Sequence, residues 1–114
     1  MSDNTRAHSA LVNALMLDLS RAGCLVTKFT TGQGLTHQGY PIRFGNPGWA
    51  DIIGALPDGR FLAVECKTGR GRMAHHQAAF REAVIARGGV HIEARDRAGA
   101  MAEIQSIIEG AAHG

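Results

Sequence analysis

Residues 48–72, GWADIIGALPDGRFLAVECKTGRGR, decide how this chain folds. At the middle of the stretch, Pro57-Asp58-Gly59 separates two apolar runs. Proline suits the first central position of a type I turn, aspartate the second, and glycine the left-handed position of the bulge that follows. That makes a three-residue hairpin loop with Leu56 and Arg60 as its flanking pair. Counting back from the pair sets Asp51 opposite Glu65, and Lys67, two residues on, projects from the same face. A two-residue loop at Asp58-Gly59 would set Asp51 against Cys66 and scatter the charges to both faces. The turn chemistry favours the clustered arrangement.

Working outward, residues 5–22 have the spacing of an amphipathic helix, with Leu11, Val12, Leu15, Leu19 and Ala22 on one stripe. Gly23 sits where a C-terminal cap belongs. Residues 24–30 (CLVTKFT) are rich in β-branched and aromatic side chains and predict a strand. Residues 31–48 contain Gly32, Gly34, Gly39, Gly45 and Gly48, which predicts a long loop with a short hairpin around 40–44. Downstream, a helix over 73–87 is closed by Gly88-Gly89. A strand over 90–94 follows, then a helix over 96–109 capped by Asp96, leaving residues 110–114 as a tail. Phe61 to Val64 is apolar at consecutive positions, so both faces of its sheet need cover. The expectation is an α/β fold, a mixed β-sheet flanked by helices in the order α-β-β-β-α-β-α.

At 114 residues the chain fits a single domain, 1–114. Its 45% hydrophobic and 19% charged content supports a core and argues against disorder. Cys24 and Cys66 are isolated, and the N-terminal sequence lacks a basic-then-apolar signal pattern, so a reduced, cytoplasmic protein with no membrane partner is expected. A net charge of +2 is compatible with nucleic acid without demanding it.

Two carboxylates and an ammonium clustered at the end of a mostly buried hairpin are costly unless paired or metal-bound. A divalent cation removes the repulsion between Asp51 and Glu65, and oxygen ligands suit magnesium or manganese better than zinc. Lys67 could orient a water or balance developing charge. The plainer reading is a salt-bridged cluster at a strand end. The acid in register and the glycine-rich approach to it favour chemistry. On the second helix, Gln77 interrupts the apolar stripe of Met73, Phe80 and Val84; its amide either serves the acids or a phosphate, or lies at the stripe edge in water.

These residues together resemble the PD-(D/E)XK nuclease superfamily, and within it the small stand-alone VRR-NUC type. The motifs are Gly48-Trp49-Ala50-Asp51, Glu65-Cys66-Lys67 and the downstream Gln77, with Gln77 to Phe80 as a Gln-x-x-Phe element. The resemblance implies a restriction-endonuclease-like core and magnesium- or manganese-dependent hydrolysis of DNA phosphodiesters, with members in phages and bacteria that often act as homodimers on branched or structured DNA. It implies Asp51, Glu65 and the backbone carbonyl of Cys66 as metal ligands, Lys67 as the catalytic lysine and Gln77 as a support. Ala50 replaces the proline of the first motif. The usual glutamate of the first helix is replaced by His8, in phase with Leu11, Leu15 and Leu19, while Asp18 is too far along and Asp3 precedes the predicted helix. His8 could ligate metal or touch phosphate, although an ordinary helix-start residue is the preferred reading.

Arg70 and Arg72, with glycines that let backbone approach phosphate, are candidate DNA contacts together with Lys28, Arg43 and His76. His37 could join them on the other wall, and Arg95 could face the same cleft. For Trp49, closing the core is preferred over stacking on a base. Adjacent His75 and His76 point apart on a helix and make no metal pair. Cys66 reads as a small buried hydrophobe. Two other readings stay open: a non-cleaving DNA-binding or junction-recognition module, and a Holliday-junction-resolving enzyme. The last helix, with Met101, Ile104, Ile107 and Ile108, either supplies a dimer face or covers the sheet.

Overall fold

The computed structural model describes residues 3–29, 32–35, 37–44, 49–69 and 75–113. The chain runs α1 (Asp3–Arg21), β1 (Leu25–Lys28), β2 (Gly32–Leu35), β3 (Pro41–Phe44), β4 (Ile52–Ala55), β5 (Phe61–Cys66), α2 (His75–Ala86), β6 (Val90–Ala94) and α3 (Arg97–His113). Four strands form one mixed sheet in the order β1-β4-β5-β6. Its first three strands are antiparallel neighbours, and β6 joins β5 in parallel. A parallel partner needs a crossover, and α2 is that crossover. The element order expected from the sequence is the order of this sheet and its helices.

The glycine-rich segment departs from the expectation of a long loop. There β2 pairs antiparallel with β3 in a ribbon of its own. Gly32 and Gly34 lower strand propensity, which is why only the second arm was legible in sequence. The final helix also continues past residue 109 to His113, through the expected tail.

The central hairpin has the anticipated register. Gly59 adopts φ +93°, its N–H donates to the Leu56 carbonyl at 2.8 Å, and the Leu56 N–H donates to Arg60 O at 2.9 Å. The ladder continues from Ala55↔Phe61 to Ile52↔Val64. Side chains alternate across this sheet, so Ile52, Leu62, Val64, Cys66, Ile92 and Ala94 share one face. They pack there with Val12, Leu15 and Leu19 of α1 and Ala100 and Ile104 of α3 in one apolar core. Ala63, Glu65, His91 and Glu93 occupy the other face, where Phe80 of α2 meets His91 and Phe61 edge-on. Helices therefore cover both faces, as the unbroken apolar run of β5 requires.

Helix ends follow local chemistry. Gly23 (φ +94°) closes α1 as the Cys24 N–H donates to Leu19 O, and Gly88 (φ +81°) closes α2 as the Gly89 N–H donates to Val84 O. Asp96 caps α3 by accepting the Gly99 N–H at 2.6 Å. Arg97 grips Asp18 through two bonds of 2.6 and 2.8 Å, tying α3 to α1 and holding the Asp18 carboxyl below its ordinary range. Ile104 is buried, and Met101, Ile107 and Ile108 pack, partly buried, against the same core, so this stripe of α3 covers the sheet. Among the described residues no helix is long and apolar enough to cross a membrane.

Candidate active site

Asp51 stands one residue before β4, and its backbone continues the hairpin through an N–H bond to Val64 O at 3.1 Å. The ladder ends at Ile52↔Val64, so Asp51 lies one residue beyond it, its N–H directed at the carbonyl of the residue that Ile52 already faces. The Asp51 carboxylate is fixed from two sides. Its Oδ2 accepts the Cys66 backbone N–H at 2.8 Å and lies 3.4 Å from His8 Nε2. Glu65 is the one charged side chain among the described residues that is buried, at 5% exposure.

Gln77 joins the acid to the base. Its Nε2 donates to Glu65 Oε1 at 2.8 Å, while its Oε1 accepts from Lys67 Nζ at 2.8 Å. A carboxylate can only accept and an ammonium can only donate, so the amide has one orientation that satisfies both neighbours. Lys67 Nζ also lies 3.6 Å from Glu65 Oε1. The amide at the edge of the apolar stripe thus serves Glu65 and Lys67.

The electrostatics follow from burial. Loss of solvent, then repulsion from Asp51, pushes the Glu65 carboxyl up to about 7, and Lys67 only partly offsets this. Burial, with Asp51 and Glu65 nearby, pushes the Cys66 thiol up to about 12, so it stays protonated. Its visible contribution to the site is its backbone N–H. Cys24 and Cys66 are both buried free thiols, and burial raises Cys24 as well.

The donor chemistry fits a hard divalent cation. The Asp51 and Glu65 carboxyls lie close enough to share a hydrogen bond when Glu65 is protonated and to repel when it is not, and a cation in place of that proton would relieve the repulsion. Among the described residues, no three His, Cys, Asp or Glu side chains stand together as a ready metal group. Two adjacent carboxylates are what the described residues offer.

The packing of α1 brings the His8 ring, 38% exposed, to 3.4 Å from Asp51 Oδ2. Its position in phase with the buried stripe of α1 was the available signal. Glu93 escaped the sequence reading. The parallel register pairs it with Glu65, on the same face, and it holds Arg95 Nη2 at 2.6 Å while Arg95 Nη1 donates to Gly69 O at 3.3 Å. The spacing of Glu93 along β6 would have exposed it only once the parallel register was known. Trp49 stacks between Phe29 and Phe80, with centroids at 5.2 and 4.8 Å, as a core-closing residue would.

Lys28 is exposed and pairs with Ile52, so it projects on the α1 side of the sheet. Arg70 and Arg72 lie outside the described residues, as do the side chains of Arg43 and His76. No protein-family model matches this chain, and no curated protein sequence matches it significantly.

Proposed function

We propose that this chain is a metal-dependent DNA endonuclease with a restriction-endonuclease-like core, selective for branched, flapped or junction DNA. The observation that carries the reading is the cluster of Asp51 beside the buried Glu65, with Gln77 joining Glu65 to Lys67. The sequence resemblance to the PD-(D/E)XK superfamily supports the same assignment. Asp51, Glu65 and the Cys66 carbonyl would hold magnesium or manganese, with His8 beside Asp51. A bound divalent cation supplies Lewis-acid polarisation of a phosphate and a more acidic bound water.

The chain's own residues do the rest. Cys66 N–H anchors one Asp51 oxygen and so fixes the carboxylate beside Glu65. Glu65 must shed its proton to act as a ligand, and its site holds that proton until near neutral pH. Lys67 is 17% exposed, with its ammonium held by Gln77 and offset from Glu65. It can therefore meet charge that develops on a phosphate, where a tight ion pair would have neutralised it. Hydrolysis consumes one water and breaks one P–O bond.

A second reading, a DNA-binding module without cleavage, draws on His8 occupying the α1 position beside Asp51. Incubation of the protein with nicked, flapped, forked and four-way-junction DNA in manganese or EDTA, beside Lys67→Ala, separates the two. Cleavage only by the unaltered protein with metal supports the nuclease. Cleavage that survives EDTA or the substitution would remove the mechanism, and binding without cleavage in any metal supports the module.

A further inference from the structure

A cavity of about 610 Å³ opens on the α2 side of the sheet, lined by Trp49, Arg60, Phe61, Phe80, Val84 and Arg87 among others. Its floor is aromatic and aliphatic, and its rim carries two guanidiniums. Arg60 donates through Nε to Asp58 Oδ2 at 2.7 Å, and Asp58 also accepts the Arg60 backbone N–H. This clamp orients the guanidinium and leaves both of its terminal nitrogens uncommitted among the described residues. Arg87 uses one nitrogen on the Ala83 carbonyl of its own helix, at 3.0 Å, and meets no carboxylate among the described residues. Trp49 has its ring stacked between Phe29 and Phe80, while Phe61 is 37% exposed and is the aromatic surface left for a ligand.

The cavity is collinear with the acidic cluster. Phe61, Ala63 and Glu65 alternate on one face of β5, so Phe61 lies ~13 Å along the strand from Glu65. On α2, Gln77 and Val84 mark the same two places, ~10 Å apart along the helix axis. A polyanion running along α2 on this side of the sheet would therefore meet the acids at one end and the arginine-rimmed cavity at the other.

We infer that this cavity binds an unstacked nucleotide of a single strand, a few nucleotides from the phosphate at Asp51 and Glu65. The base packs on Phe61 and the apolar floor, and the flanking phosphates meet Arg60 and Arg87. The inference rests on the nuclease reading only for the direction in which the strand leaves. Its consequence is a preference for DNA in which a single strand departs from a duplex.

Trp49 is the single tryptophan of the chain and lines the cavity, so its fluorescence reports on this place directly. The protein would be titrated in EDTA with a short oligothymidylate and with an abasic oligonucleotide of equal length. Arg60→Ala/Arg87→Ala and Lys67→Ala would be run beside it. The expected result is saturable quenching by oligothymidylate and, for the double variant and for the abasic strand, affinity lower by on the order of tenfold. Lys67→Ala should retain the quenching. With magnesium, the double variant should show a raised KM on flapped DNA.

Unchanged fluorescence, equal binding of the abasic strand, or an unaltered double variant would overturn the inference, even if the protein cleaves DNA. Quenching that depends on the arginines, in a protein that cleaves nothing, would sustain the cavity and defeat the nuclease reading. A DNA-independent dimer that the double substitution dissolves would make a second copy the occupant, and would overturn the inference too.

Discussion

Replacing Glu65 by glutamine should make the metal-free protein more stable at pH 8 and change it much less at pH 5. The folded protein holds the Glu65 proton up to about pH 7, whereas the unfolded chain releases it near 4.5. Between those values the folded state binds the extra proton, so stability falls as pH rises through the window and stays low above it. Glutamine mimics the protonated acid, and its amide oxygen can still accept the Gln77 N–H. At 1.36 kcal/mol per tenfold change, the gap between 4.5 and about 7 caps the gain at ~3 kcal/mol. Solvent screening where the site opens on the cleft reduces that to about 1–2 kcal/mol. Thermal unfolding in EDTA at the two pH values would show it as a rise of roughly 5–10 °C at pH 8 and a much smaller one at pH 5. The same substitution should abolish stabilisation by added magnesium. Equal melting temperatures at pH 8, or an equal shift at pH 5, would refute the account of Glu65 as a buried, repelled carboxylate.

Gln77→Met should leave the fold intact and cut kcat on flapped DNA by about 10–100-fold, since it releases Lys67 and Glu65 from their shared support; steady-state kinetics beside a circular dichroism spectrum checks both halves. Gly54→Ala would drive a Cβ to 1.9 Å from Leu25 O, and the backbone of β1 cannot yield without losing its ladder. Urea unfolding should show a loss of about 3 kcal/mol or more. Asp96→Ala removes the α3 cap and should cost about 1 kcal/mol in the same assay, with activity unaffected.

The hairpin was legible because its turn is chemical. Pro57, Asp58 and Gly59 each suit one backbone position, so the register from Ala55↔Phe61 to Ile52↔Val64, which brings Asp51 close to Glu65, followed from local rules. The helix stripes and glycine caps were legible for the same reason. What stayed hidden depends on partners distant in sequence. Gly32 and Gly34 carry no strand signal of their own and form β2 only against β3. Glu93 meets Glu65 only through the parallel pairing that α2 permits. The role of His8 needed the packing of α1 to bring its ring to Asp51, and that of Gln77 needed the path of α2. Trp49 and Phe61 read as apolar residues, and the cavity beside them was invisible until both elements were in place.

The tight turn and the acids stand at opposite ends of one hairpin, and this constrains how such a chain can change over generations. Thirteen residues separate Asp51 from Glu65. Losing or gaining one of them without a compensating bulge turns the following side chain to the other face, and a carboxylate would then enter the apolar core. Gains or losses in pairs keep the parity and merely lengthen or shorten the arm. Descendants of this sequence should therefore vary in hairpin length by even steps, while substitutions within the arms remain comparatively free.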